Sequence, residues 1–265
     1  MLTATLKDRV QLTPRMLRLT FEVPGAAVGG RPDDWLQIFF GEPGDHERRR
    51  NYTVRDARPD EVVVDFALHE GGLAATWARE ADLGEQLVWI ETAGGYERPA
   101  DARWQLLVGD LTALPAIGRI LESTPAGLRT MVVAEVFDAA DRQRWDTAAD
   151  LDVRWLHGSG DGDVPSRLDD VVRSCPERLE EGYIWMAGET RTVRSARRYL
   201  RHELGLDRTR YSLTGYWLAH SEEWLERYAP IADDMAQLWE RGEAEGRDPE
   251  ELQDAYDNAL ERVGL

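Results

Sequence analysis

The chain has 265 residues, with 32 Lys+Arg against 50 Asp+Glu and a formal net charge of −18. That balance argues against general nucleic-acid binding, because phosphates would be repelled. A single cysteine, Cys175, excludes an intrachain disulfide and any zinc site or cluster built from several thiolates of this chain.

The low cysteine count fits a reducing cytoplasm. No apolar run reaches the roughly 18 residues that a membrane helix needs. The opening "MLTATLKDRVQL" lacks the basic and then apolar pattern of a signal peptide. The length suggests one large or two ordinary domains.

Short strand-like runs fill the first hundred residues: "RVQLTP", "MLRLTFEV", "WLQIFF", "NYTVRD", "EVVVDFALH" and "EQLVWIET". Val62, Val64, Phe66 and Leu68 alternate with Val63, Asp65 and Ala67, which predicts a half-buried strand. Turn clusters such as "PGAAVGGRPDD" and "GEPGD" separate the runs. The pattern predicts a small antiparallel β-barrel, interrupted by one helix at "LAATWAREA".

After residue 100 apolar runs alternate with helical stretches. "WQLLVGD" precedes "LPAIGRILEST". "RTMVVAEVF" and "LDVRWLHG" precede "SRLDDVVRS". "GYIWMAGE" precedes "RTVRSARRYLRHEL". This alternation predicts an α/β domain with a parallel sheet covered on both faces. Ligands in such sheets sit beyond the carboxyl ends of the strands, where "GD" and "GE" stand here. From 221 to 265 the chain is polar and helical. Asp248 is a predicted N-cap, Pro249 opens the helix, and Leu252, Ala255, Tyr256 and Leu260 form one apolar stripe. The three segments are 1–100, 101–220 and 221–265.

The stretch "RRRNYTVRD" crowds arginines around a tyrosine and a threonine in an acidic chain. An unbroken strand would put Arg50, Tyr52 and Val54 on one face and Asn51, Thr53 and Arg55 on the other. Arg offers a planar fork of donors to a pyrophosphate, and Tyr can stack on a flat ring. By itself the pattern equally suits a surface strand with cross-strand ion pairs. "ALHEGGLAATWA" adds His69 at a strand end and glycines opening a helix, an arrangement that aims backbone amides at phosphate. "GDLTALPAI" sets Asp110 and Thr112 at a strand terminus. "MAGETRTVRSARRYL" sets Gly188 and Glu189 at another, followed by Arg191, Arg194, Arg197 and Arg198. These arginines also fit a solvated helix face. The five histidines, His46, His69, His157, His202 and His220, show no metal-ligand spacing.

Taken in order, "LTPRMLRLTFE", "RNYTVR", "DFALHEGGLAATWA", "GDLTALPAI", "WMAGE", "RRYLRHELGL" and "GYW" resemble the siderophore-interacting protein family. These are flavin-dependent ferric-siderophore reductases of the ferredoxin–NADP reductase-like architecture. The resemblance spans roughly Met1 to Trp217. It implies an FAD-binding barrel, an NAD(P)-binding-like α/β domain and a C-terminal helical extension. It implies FAD contacts at Arg50, Tyr52, Thr53, His69, Gly72, Ala74, Ala75, Thr76, Trp77, Asp110, Thr112 and Ala113. Of these, Tyr52, Thr53, Asp110 and Thr112 stand nearest the chemistry. Gly188, Glu189, Arg191 and Arg194 fall on the nucleotide side.

The implied activity passes electrons from NAD(P)H through FAD to a ferric siderophore, releasing Fe(II). No resident metal is implied. A same-fold flavoreductase exchanging electrons with ferredoxin and a non-catalytic flavin or siderophore binder are the alternatives. The acidic composition suggests a hydroxamate chelate rather than an anionic catecholate. A cytoplasmic monomer is expected. Several positions depart from the family pattern. Leu73 replaces a proline and Ala75 a serine in the turn before Trp77, Leu111 replaces a glutamate, and Gln37 a lysine. Leu218, Ala219 and His220 stand where basic residues and glycine are common.

Overall fold

The computed structural model describes residues 1–26, 30–45, 47–69, 71–175 and 177–265. His46 and part of the "PGAAVGGRPDD" turn lie outside the described residues. The chain forms two compact units, Met1–Trp217 and Leu218–Leu265.

The larger unit begins with six antiparallel strands: β1 (Leu2–Thr13), β2 (Met16–Glu22), β3 (Trp35–Phe39), β4 (Arg49–Arg58), β5 (Glu61–Ala67) and β6 (Gln86–Thr92). They close into a barrel in the order β1-β2-β5-β4-β3-β6. Strand β1 starts well before the "RVQLTP" run, because Ala4 and Leu6 already point into the barrel core. Leu19, Phe21, Ile38, Val54, Val62, Val64, Phe66 and Trp89 fill the rest of that core. Helix α1 (Leu73–Glu80) turns Ala74, Ala75 and Ala78 inward against it.

The half-buried pattern predicted for β5 is not what forms. Val62 through Phe66 are buried without interruption. The cause is Asp65, whose carboxylate accepts from Arg18 Nε at 2.7 Å and Arg18 Nη2 at 2.8 Å. Arg55 adds a second cationic neighbour. A carboxylate neutralised by a bidentate guanidinium can be buried where an unpaired one could not.

Five strands, β7 (Trp104–Asp110), β8 (Arg129–Val136), β9 (Asp150–His157), β10 (Gly182–Glu189) and β11 (Tyr211–Trp217), form an all-parallel sheet in the order β11-β10-β7-β8-β9. Every residue of β7 and β10 is buried, as expected of central strands covered on both faces. Helices α2 (Leu114–Ser123), α3 (Leu168–Arg173) and α4 (Thr190–Arg198) cover the sheet. A π turn, Tyr199–Glu203, continues α4. The chain runs from β7 outward to β8 and β9, then returns to β10 and β11 on the other side. The direction therefore reverses between β7 and β10, which makes their carboxyl ends the topological switch point.

Barrel and sheet are fastened by buried polar groups. The Asp33 carboxylate accepts from the Gly95 and Tyr96 amides and from Trp185 Nε1 of β10, at 2.8–3.1 Å. Asp141, fully buried, accepts from the Arg15 amide and guanidinium. Arg119 of α2 donates to the Val54 carbonyl of β4 at 3.0 Å, and Arg55 pairs with Glu122.

The smaller unit holds α5 (Ser221–Tyr228), α6 (Ala232–Ala244) and α7 (Pro249–Arg262). Asp248 caps α7 by accepting from the Glu250 amide at 2.9 Å. Met235, Leu260 and Leu265 form its core, and Leu252 is also buried. Among the described residues no helix is long and apolar enough to cross a membrane.

Candidate functional site

On the barrel side the site grows from β4. Residues Arg49 to Thr53 pair with β3, whereas the β4–β5 register begins only at Val54↔Val64. Asp65, Phe66 and Ala67 pair with β2 alone, although β2 pairs with all of β5. The sheet therefore opens between β4 and β5 along the arginine-rich stretch. The predicted alternation holds as far as Val54. A register shift between Val54 and Asp56 then turns Arg55 toward Asp65 and Glu122.

Tyr52 stacks on Phe66, ring centroids 4.1 Å apart, beside Phe40. Burial raises its phenol above the usual tyrosine range, with Arg50 acting in the opposite direction, so the ring stays neutral. Arg50 is exposed, and its Nη1 donates to the Glu47 and Arg49 carbonyls at 2.7 and 2.8 Å. Thr53 is buried, and its side chain lies beside the Tyr216 phenol of β11.

Helix α1 begins at Gly72, whose N-cap position has no side-chain hydrogen bond to the first turn. A Cβ at Gly72 would stand 2.1 Å from the His69 ring, so only glycine lets the two approach. Thr76 is exposed, and its amide bonds the Gly72 carbonyl. Trp77 packs on Phe40 and Phe21. Uncapped first-turn amides attract an anion, and the open β4 edge with a neutral aromatic ring suits a flat heterocycle. The residues fit a group that joins a ring system to a diphosphate, as FAD does.

On the sheet side, Asp110 ends β7 at the switch point and is 3% exposed. Its carboxylate accepts from the Thr112 amide (2.9 Å), the Thr112 hydroxyl (2.6 Å) and Trp217 Nε1 (2.6 Å). Burial lifts its pKa from 3.8 to about 6, assisted by the charge of Glu135 and opposed by the Thr112 and Trp217 bonds. Ala113 is fully buried, and Leu111 lies at 8% exposure. Gly188 has φ +153°, and a Cβ there would fall 2.5 Å from Asp110 Oδ2. Glu189 caps α4 by accepting from the Thr192 amide at 2.9 Å. Arg191 is exposed on α4 and Arg194 partly buried. Gln37 accepts from Arg49 Nη1 at 3.2 Å.

Two clusters thus emerge, one on the barrel and one on the sheet edge. Tyr216 and Trp217 join them: the first reaches Thr53, the second Asp110. A register shift between Gly188 and Glu189 in the β10–β11 pairing opposes Glu189 to Trp217 and leaves Tyr216 between the paired positions. The motif "GYW" marks this strand end, but only the fold reveals what the two rings touch. Glu135, the penultimate residue of β8, is another site residue with no motif of its own; its signal is an acid just before the end of the apolar run "RTMVVAEV".

Residues 43–95 match the model of the siderophore-interacting FAD-binding domain, and residues 102–220 match that of the siderophore-interacting protein. The ferric vibriobactin reductase ViuB of Vibrio cholerae is 32% identical over 177 residues, 63% of this chain and 64% of that protein. The chain thus spans somewhat under two thirds of that relative. An NADPH-dependent ferric-chelate reductase of Escherichia coli is 28% identical over 209 residues, covering 71% of this chain and 80% of the relative. The crystal structure of the siderophore-interacting protein SipS from Aeromonas hydrophila superposes with a TM-score of 0.71 at 30% identity, covering 89% of this chain and 97% of that one. Barrel, sheet and sequence agree, and the chain belongs to the siderophore-interacting protein family.

Proposed function

We propose that this chain is an FAD-dependent oxidoreductase that reduces ferric siderophore iron to Fe(II) with electrons from NAD(P)H. One observation carries the reading most. Thr53, on the barrel strand that opens toward β5, meets Tyr216, whose neighbour Trp217 is bonded to Asp110 at the switch point. A ring held by the barrel would there lie beside a nucleotide held by the sheet. The proposal divides the chain into a barrel over 1–100, an α/β domain over 101–220 and a helical extension over 221–265.

In this reading Arg50 meets the pyrophosphate or ribityl chain, Tyr52 stacks on the ring, and Thr53 stands at the ring edge. His69, Gly72, Ala74, Ala75 and Thr76 bound the phosphates beside the open amides of α1, with Trp77 behind them. Asp110, Thr112 and Ala113 form the floor between ring and nicotinamide. Gly188, Glu189, Arg191 and Arg194 flank the nucleotide. FAD, when bound, accepts two electrons together and releases them singly, which matches a hydride donor to a one-electron metal acceptor.

The protein's own part is placement. Tyr52 keeps an uncharged face, and the Thr112 and Trp217 donors hold Asp110 in one orientation. The carboxyl of Asp110 can hold a proton near neutral pH. The substrate iron is bound by hard oxygen ligands as Fe(III), and such ligands hold Fe(II) less well, so reduction is release. The net charge favours a neutral or cationic hydroxamate chelate over an anionic catecholate. A monomer in the cytoplasm completes the proposal.

An anaerobic titration tests it. NADH or NADPH should bleach the flavin of the loaded protein, and a ferric hydroxamate siderophore with a ferrous trap should restore the colour while Fe(II) accumulates. Bleaching by reduced ferredoxin alone would transfer the donor role to that protein. Flavin that no donor can bleach would refute the enzymatic reading.

A further inference from the structure

Two buried carboxyls stand side by side at the carboxyl edge of the sheet, and the reading above uses only one. Asp110 closes β7, and Glu135 on β8 is its partner in register, so the two side chains leave the sheet on the same side. Asp110 is 3% exposed and Glu135 1%. Backbone seals each of them. A Cβ at Gly188 would stand 2.5 Å from Asp110 Oδ2, and one at Gly160 would stand 2.0 Å from Glu135 Oε2.

Every donor to the pair is neutral. Asp110 accepts from the Thr112 amide and hydroxyl and from Trp217 Nε1. Glu135 Oε1 accepts from the Ser159 hydroxyl at 2.5 Å and the Arg167 amide at 3.1 Å, and Oε2 has no partner among the described residues. The charged groups nearby have other partners. Glu189 on β10 accepts from the Thr192 amide, and α4 beyond it carries Arg191 and Arg194. In the loop after β9, Arg167 Nε donates to Ser159 and Nη2 to the His157 carbonyl, while Arg142 Nε donates to His157 Nε2. Asp161 accepts from the Asp163 and Val164 amides. Burial keeps the Tyr216 phenol of β11 neutral. Among the described residues no Lys, Arg or His side chain is ion-paired with Asp110 or Glu135. Two like charges in so dry a site disfavour each other, and they titrate as a pair.

We propose that Asp110 takes up a solvent proton when the flavin is reduced and returns it on reoxidation, with Glu135 as the positioning residue that sets the pH range of the exchange. The proton is separate from the hydride. The hydride leaves the ring with an added negative charge, while the Asp110 carboxylate becomes a carboxyl and one hydronium becomes water. Two ferric ions, taking one electron each, reverse the change. Electron and proton favour each other's arrival, and that coupling is reciprocal. The oxidised protein titrates Asp110 near pH 6, because burial and the charge of Glu135 both disfavour the anion. A negative ring raises that value further, so between the two values reduction carries one extra proton. The inference rests on the FAD reading above.

Redox potentiometry of the FAD-loaded protein across pH tests it. Above about pH 6 the wild-type potential should fall about twice as steeply with pH as that of Asp110→Asn, two protons per electron pair against one. In Glu135→Gln, whose amide oxygen can still accept from Ser159 and Arg167, the steep segment should begin at lower pH. The reduced-minus-oxidised infrared spectrum reads the same proton directly: a protonated-carboxyl band should appear in the wild type at neutral pH and be missing from Asp110→Asn. If wild type and Asp110→Asn share one slope and no such band appears, the proposal is overturned and the reductase reading stands. A Glu135→Gln profile identical to the wild type's overturns the part assigned to Glu135. If folded protein takes up no FAD, both readings fall.

Discussion

Replacing Asp110 with Asn tests whether the switch-point carboxyl is as proton-avid as its surroundings dictate. Its pKa rises from 3.8 to about 6 because burial disfavours the anion more than Thr112 and Trp217 stabilise it. The shift of about 2 units corresponds to roughly 3 kcal/mol at about 1.4 kcal/mol per unit. The folded protein thus holds this proton more tightly than the unfolded chain does. The resulting stability is fully present below the unfolded value of 3.8 and is lost as pH rises through about 6.

Asn has no proton to lose, so its contribution is flat with pH. Its amide opposes the Trp217 donor, a pH-independent loss of about 1–3 kcal/mol. Urea unfolding of wild type and Asp110→Asn should therefore show a deficit for the variant at pH 4.5 that shrinks by about 2 kcal/mol by pH 7.5. A deficit constant across that range, or one that grows with pH, would refute the assigned environment of Asp110.

Three further outcomes follow from the packing. Asp65→Ala leaves Arg18 and Arg55 without their shared buried carboxylate and should cost about 3–5 kcal/mol in denaturant unfolding, far more than an exposed pair would. Gly72→Ala drives a Cβ into the His69 ring at the start of α1, so FAD affinity in fluorescence titration should fall about tenfold or more while far-UV circular dichroism is retained. Trp185→Phe removes the donor to Asp33 across the barrel–sheet junction and should cost about 1–3 kcal/mol, with the loss concentrated in the exchange protection of 94–96.

The strands that were easiest to find in the sequence are those whose burial is continuous. "WQLLVGD" and "GYIWMAGE" are apolar enough to announce a covered parallel sheet, and both become central strands buried throughout. The barrel is legible from turn spacing, but the full burial of β5 is not, because Asp65 reads as an outward residue until Arg18 and Arg55 are known to cover it. β1 begins before the "RVQLTP" run, and the alternation of Leu2, Ala4 and Leu6 is its signal. The register shift at Arg55 has no local signal, since it depends on where the pairing of β4 with β5 ends.

The site followed the same division. "RNYTVR" and "GDLTALPAI" placed residues on elements correctly, but the hydrogen bond from Trp217 to Asp110 spans 107 residues. The approach of Gly160 to Glu135 is likewise a product of strand order. No periodicity in the chain encodes which strand ends become neighbours.

The proposed function puts FAD where the open edge of β4 meets the carboxyl ends of the sheet. The most direct measurement is an equilibrium titration of flavin-free protein with FAD, followed by flavin fluorescence. Binding at one FAD per chain, with flavin emission quenched beside Tyr52 and binding weakened by Arg50→Ala, is the predicted result. Folded protein that leaves FAD emission untouched at every concentration would contradict it.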